Sequence, residues 1–424
     1  MHAIRARHCF DGASFRRGGA TVVVADGVIV GVESYGHQVP QDCAITVHDG
    51  TLLPGLIEAH THLVADSGVG ALGRVAAYSD AQIDEVIRQA LSDQLRAGVT
   101  TVRDLGDRHF RVADYRPAPG SAPTGPTIVA AGPPITSRGG HCHFLGGEVL
   151  GKSQIIRAVE QRVERGVDVV KVMASGGVTT PDTDVTLTQF STDELKLLVD
   201  LAHAGGLAVT AHAHATAAVE QVIAVGADGI EHCSCVTAQG FGQVSDHTVA
   251  AIAARGIVVC PTLGMDPDVG ELPPEMQTLL SQMGVTAGQW RQSRLDLVSR
   301  LHDAGVWIVS GADSGISPVK RHGTLPHAVC DLVTAGLSVP DALTTVTSAG
   351  AAACGLGARK GRLAVGYDAD LLTVPGDLAT DVTALLRPQS VQLRGTPVDL
   401  APARQAELST SEPWMGSNPG GSRR

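Results

Sequence analysis

Aromatic side chains make up only 3% of this 424-residue chain, and no apolar run is long enough to span a bilayer. The first shortage means that the core must be assembled from Val, Leu, Ile and Ala, a composition suited to buried parallel strands covered by Ala-rich helices. The second excludes a membrane-spanning helix. Positive charge is also in short supply. There are 32 Lys and Arg against 43 Asp and Glu, a formal net charge of −11, which argues against non-specific binding to nucleic acid or to an acidic membrane surface. The eight cysteines contain no CxxC pair, so they read as free thiols in a reducing compartment. The opening "MHAIRARHCFDG" lacks the apolar h-region of a signal peptide, and a cytoplasmic location is expected.

What is present fits a soluble globular protein with a large core: 43% hydrophobic and 18% charged residues. The stretch "ATVVVADGVIVGVES" holds two short β runs broken by Asp26-Gly27, a hairpin signal. Near the other end, "GRLAVGYDADLLTVPGDL" and "SVQLRGTPVDL" have the same character. Residues 1–52 and 362–402 are therefore expected to pair into one small, discontinuous β domain, a sandwich made from both flanks. The tail, 403–424, is polar and rich in Gly, Pro and Ser, and is expected to be disordered. Between the flanks, residues 53–361 alternate short apolar runs with amphipathic stretches at 80–97, 151–165, 191–204, 215–225, 246–254 and 290–303. The runs are "LLPGLIEAHTH", "VTTVRDL", "TIVAAG", "VDVVKVMA", "LAVTAH", "DGIEH", "IVVCPTL" and "VWIVSGAD". Eight strands with intervening helices predict an α/β fold of the (β/α)8 TIM-barrel type.

Active sites of such barrels lie at the C-terminal ends of the strands, and here those ends carry His60 and His62, Lys171, His212, His232 and Asp313. His60 and His62 stand two apart, so on a strand they share a face. Each residue alone has an ordinary reading. An HxH pair can be a solvated tip, His232 a core histidine bonded to backbone, Asp313 a helix cap, and Lys171 a snorkelling strand end. Those readings must all hold at once, at the ends that matter, whereas a nitrogen and oxygen donor set for zinc or a similar divalent ion explains them together.

The motifs "PGLIEAHTH", "KVMASGGVTTP", "HAH", "IEH" and "GADSG", taken in this order and with the closing "GRLAVGYDADLLTV", resemble the amidohydrolase superfamily. "GGHCHFLGGE" points further to its imidazolonepropionase and prolidase-like branch. The resemblance implies a metal-dependent hydrolase of amide-type C–N bonds acting on a small, carboxylate-bearing molecule. An ordinary lysine ammonium has no lone pair for a metal, and in similar enzymes the amine has become a carbamate by reaction with carbon dioxide. The resemblance then assigns His60, His62 and Asp313 to the more buried of two divalent ions, zinc being the first candidate. His212 and His232 go to the more exposed ion, with carboxylated Lys171 between the two. A water shared by two ions ionises near neutral pH, and Asp313 would pass its proton to the leaving nitrogen.

Secondary candidates surround this set. His141 and His143 lie in the Gly-rich loop after the third strand, and His143 is favoured for contact with the substrate carbonyl or carboxylate. His214 follows His212 at a spacing of two and is a substrate-binding candidate, as are Arg138 and, more weakly, Lys320 and Arg321. His212 is preferred over His214 as ligand because it comes first after the apolar run. Relatives often carry a tyrosine shortly after the sixth-strand histidine, where this chain has "HCSCV", so its substrate is expected to differ from a dipeptide. The alternative reading is a mononuclear deaminase or imidazolone-type hydrolase with unmodified Lys171; such relatives generally lack a lysine at this strand. A scaffold that lost catalysis would be missing ligands, and none is missing. A small-molecule substrate and a homo-oligomer, without nucleic-acid or membrane partners, complete the expectation. Lys171→Ala and Asp313→Asn should each abolish turnover while the circular dichroism stays unchanged. Wild-type rates in either purified variant, with metal retained, would refute the assignment.

Overall fold

The computed structural model describes residues 1–117 and 125–400; the tail expected at 403–424 lies outside the described residues. At the N-terminus come β1 (His2–Cys9), β2 (Ala20–Ala25), β3 (Val28–Glu33) and β4 (Ala44–Pro54). The β2–β3 hairpin turns at Asp26 and Gly27, both with positive φ (51° and 80°), which is why that dipeptide closes a two-residue loop. Next come β5 (Leu56–Thr61), β6 (Val99–Asp104) and β7 (Thr127–Ala130), a three-stranded parallel sheet, and a short parallel pair, β8 (Thr136–Ser137) and β9 (Glu148–Val149). A four-stranded parallel sheet follows: β10 (Val169–Met173), β11 (Ala208–Ala215), β12 (Gly229–Val236) and β13 (Val258–Cys260). The chain ends its described part in β14 (Leu371–Val374), β15 (Ser390–Leu393) and β16 (Thr396–Pro397), which return to β4. One seven-stranded sheet, in the order β16-β15-β14-β4-β1-β2-β3, thus unites the two flanks.

The fold is therefore α/β with parallel central sheets. Every residue of β5, β6, β10 and β12 is buried, as expected of parallel strands covered on both faces. The eighth run, "VWIVSGAD", is not a continuous strand. It is held by single parallel bridges, Ile308 to Val259 and Ser314 to Thr61, because its end turns through a left-handed Asp313 (φ 58°). A similar bridge, Ile135 to Val172, joins the segment after β7 to β10.

Helices fall where the amphipathic stretches predict them. The helix Asp80–Arg96 starts at a capping box in which Ser79 and Gln82 satisfy each other's backbone N–H groups, and it buries Ile83, Ile87, Ala90 and Leu91 on one face. Thr192–Ala204 and Ala287–Asp303 begin with the same device, Ser191 with Glu194 and Thr286 with Gln289. Sequence periodicity did not separate out Pro274–Gln282, Leu325–Thr334, Val339–Thr345 and Ser348–Ala353. These helices are short, and their burial comes from neighbours that only the folded chain supplies.

Just before β14, the buried Lys360 ammonium donates to Asp370 and lies 2.9 Å from Asp368, which Arg359 also holds at 2.7 Å. Burial alone would raise the Asp368 carboxyl, but the charge and hydrogen bond of Lys360 outweigh it and hold the group below its ordinary value. Lys360→Ala should lower stability by about 3 kcal/mol in chemical denaturation, because it strands buried carboxylates. A depressed carboxylate stabilises above its unfolded pKa and loses that contribution as pH falls through the folded one. The gap between wild type and variant should therefore narrow as pH drops below the ordinary carboxylate range.

Candidate active site

His60 lies near the end of β5 and His62 just past it, with their rings edge to face, centroids 5.4 Å apart. Their outer nitrogens are tied down. His60 Nδ1–H donates to Glu231 Oε2 at 2.7 Å, and His62 Nδ1–H donates to the Gly106 carbonyl at 3.2 Å. Neither acceptor can donate in return, so in the neutral imidazole each Nε2 carries the lone pair. Each Nε2 lies 3.4 Å from Asp313 Oδ1. His60 Nε2 is buried without a hydrogen-bond partner, an orphan that ordinarily costs about 1–3 kcal/mol. The ligand atoms of this trio lie within 4.8 Å of one another.

A second trio, His212, His214 and His232, satisfies the same limit. His212 Nε2–H donates to the Gly176 carbonyl at 3.1 Å, which leaves the lone pair on Nδ1. His232 Nδ1 pairs with Thr262 Oγ1 at 2.9 Å and His214 Nδ1 with Ser234 Oγ at 3.0 Å. The three ring centroids are 4.5 Å apart in every pairing. His141 stands 4.5 Å from the His212 ring, with Nδ1 on Thr180 Oγ1 at 2.8 Å. That approach depends on Gly177, where a Cβ would fall 2.3 Å from the His141 ring.

Electrostatics prepare these groups to receive a cation. Burial pushes the His141 and His214 imidazoles down to about 3 and His60 to about 4, and it holds His212 and His232 well below their ordinary value. The rings are therefore neutral ligands near pH 7. His62 differs: burial lowers it, but the hydrogen bond and charge of Asp313 lift it above its usual value. The two groups hold a proton where a metal would replace it. Burial also lowers Lys171, toward the neutral amine, and the Lys171 charge acts on both trios. Orphaned nitrogen, directed lone pairs and an anionic Asp313 fit a divalent ion. His60, Glu231 and Cys260 also converge, but burial keeps the Cys260 thiol protonated and Glu231 is committed to His60 and Arg103.

All six expected ligands, with His141 and His214, line one cavity. Three expected substrate contacts, His143, Arg138 and Arg321, do not. The chain turns through a left-handed Cys142 (φ 57°) into a 3-10 turn at His143–Leu145. His143 consequently faces the Gly140 carbonyl and Phe144, and His141 takes the inward position. Arg138 is exposed in the preceding turn. Arg321 pairs with Asp266 at 2.6 Å outside the cavity, whereas Lys320 lines it and donates to the Thr262 and Ala312 carbonyls. Sequence reading missed Arg294, Trp290 and Thr262 in the wall, and it gave Glu231 no role. The apolar-polar break at "IEH" was the available signal for Glu231. Arg294 and Trp290 sit on a helix and carry none.

The fold and its two ligand trios, five imidazoles and one carboxylate, define a parallel α/β enzyme equipped for divalent metal. The chain belongs to the amidohydrolase family, whose profile matches residues 51–398; members generally bind divalent metal. It is 25% identical to the ochratoxinase of Aspergillus niger over 80% of this chain and 73% of that protein. With the imidazolonepropionase of Ectopseudomonas mendocina it shares 27% identity over 88% and 92% of the two chains. Among solved structures, a Xaa-Pro dipeptidase with bound methionine superposes with a TM-score of 0.81 at 23% identity, covering 94% of this chain and 99% of that one. The protein is a hydrolase acting on C–N bonds. Because Glu231 fixes the tautomer of His60, Glu231→Gln should weaken metal retention roughly 10- to 100-fold in dialysis against a graded chelator; unchanged retention would remove that role.

Proposed function

We propose that this protein hydrolyses an amide-type C–N bond in a small, carboxylate-bearing molecule, using two divalent ions and a carboxylated Lys171. The observation that carries this reading is the pair of separate ligand trios opening on one cavity, with a buried lysine acting on both. His60, His62 and Asp313 would hold one ion, and His212 and His232 the other. Burial favours the free Lys171 amine, whose nitrogen lone pair bonds to carbon dioxide and releases one proton, leaving an anionic carbamate. When bound, the ions supply an activated water and polarise the scissile carbonyl.

The chain's own groups then position and move protons. Asp313 Oδ1 faces the two Nε2 atoms, which leaves Oδ2 to take the water's proton and hand it to the departing nitrogen. That delivery matters because an amine leaves poorly as an anion. His141, neutral and directed into the cavity, replaces His143 as the candidate partner of the substrate carbonyl. Arg294 and Lys320 line the cavity with no carboxylate in salt-bridge range among the described residues, which supports an anionic substrate. The ochratoxinase and imidazolonepropionase relatives support C–N hydrolysis as the reaction class.

The same reading takes 53–361 as a closed (β/α)8 barrel, with 306–314 as its irregular eighth strand; the bridges on either side of that segment support it. The flanking sheet is taken to curl into a sandwich over Ile4, Val22, Ile29 and Leu371, an arrangement supported by the Val28–Asp368 bridge. Metal analysis by mass spectrometry, on protein purified without chelator and with bicarbonate present, should find about two divalent ions per chain, falling toward one in Lys171→Ala. One ion per wild-type chain would overturn the shared-carbamate reading in favour of a mononuclear hydrolase.

A further inference from the structure

A hydrophobic cluster distinct from the main core contributes to the cavity that holds the histidines. It includes Phe241 and Trp290, with Met265, Leu272, Met276 and Leu279 packed against them, and all six line the cavity wall. In a chain with 3 Trp, 6 Phe and 6 Met, this concentration is selective. Three of the methionines, Met265, Met276 and Met283, belong to this one cluster.

Four of these six, Met265, Leu272, Met276 and Leu279, come from residues 261–286, between β13 and the helix Ala287–Asp303. Connections of this kind usually need roughly 2–6 residues, and longer ones commonly cover binding sites. Within it the helix Pro274–Gln282 carries Met276 and Leu279, and Leu272 and Met283 flank its two ends. Leu272, Met276 and Leu279 are only half-buried, so their apolar surface is left for something that enters the cavity. Methionine is unbranched and polarizable and adapts to flat aromatic faces. Small-molecule sites combine such walls with a few placed polar groups, and here the polar groups are the histidines, Arg294 and Asp313.

We propose that this chamber selects substrates by a bulky apolar group, aromatic by preference, attached to the amide that is cleaved. The inference rests on the amide-hydrolase reading above and adds the substrate class: aryl- or long-chain-substituted amides rather than small polar peptides. The test is equilibrium binding to the metal-loaded full chain, by calorimetry and by tryptophan emission, of 2-naphthoylglycine and acetylglycine. Release of glycine from each is assayed separately.

Naphthoylglycine should bind at least about tenfold more tightly, from the apolar area it removes from water. Met276→Glu and Leu279→Glu should each bring it down to the acetylglycine level. Equal affinities for the two ligands on the wild-type chain would overturn the chamber, as would a preference that survives both variants. The wild-type comparison stands even if a variant misfolds. Binding does not require bond cleavage, so a preserved preference without glycine release counts against the amide-hydrolase reading and leaves the chamber intact. Glycine release with equal affinities counts against the chamber alone.

Discussion

Glu231, buried on β12, accepts hydrogen bonds from three other strands: His60 Nδ1 of β5, Arg103 of β6 at 3.1 Å and Thr210 of β11 at 2.6 Å. Arg103 in turn donates to the Ala59 carbonyl at 2.7 Å, beside the first candidate ligand. Burial would raise this carboxyl, but His60 and Arg103 hold it below the usual carboxylate range. An ion so placed is tolerable only with all its partners present, since removing one from a buried pair costs about 3–5 kcal/mol. The strand register that satisfies Glu231 is therefore also the register that aims His60 at Asp313. Stability of the sheet and orientation of the site rest on the same carboxylate.

Around that centre the backbone adopts conformations that side chains usually avoid. His232, Thr262, Asp313 and Cys142 all have positive φ, between 48° and 68°, and all four line the cavity. Such positions cost about 1–3 kcal/mol each and persist only where the surroundings fix them. Here they re-aim strand ends, so that Asp313 reaches the His60–His62 pair and Thr262 meets His232. Gly106 and Gly177 serve the same end by leaving room: a Cβ at either would come within 3.0 Å or less of the His62 or His141 ring.

The cavity joins two kinds of wall. One is polar, rigid and carried on strand ends; the other is apolar and carried by the long segment after β13. Such a division matches the way barrel-like scaffolds separate chemistry from specificity, with loops free to vary over a fixed sheet. It also gives a physical reason for the scarcity of aromatics elsewhere. Parallel strands are filled by Val, Ile, Leu and Ala, and two of the few large rings, Phe241 and Trp290, stand where they face the cavity.

Much of this was legible in the linear chain. Short apolar runs and helical patterning located seven of the eight central runs as strands, together with the six amphipathic helices, and turn chemistry located the Asp26-Gly27 hairpin, because these depend on local geometry and on the burial of contiguous or periodic apolar side chains. The six ligand candidates were legible for the same reason, since polar residues at the ends of apolar runs are conspicuous. Which histidine of "HCH" faces inward was not. That depends on the left-handed turn at Cys142, and nothing in the residue types distinguishes His141 from His143. The broken eighth strand, the hydrogen bonds that set the tautomers of His60 and His212, and the placing of Arg294 and Trp290 in one cavity with residues of β5 and β12 are likewise products of tertiary structure. The sequence by itself determined the kinds of donor and their order along the chain. The packed strands decided where the lone pairs of His60, His62 and His212 point, because an acceptor distant in sequence holds the other nitrogen of each neutral ring.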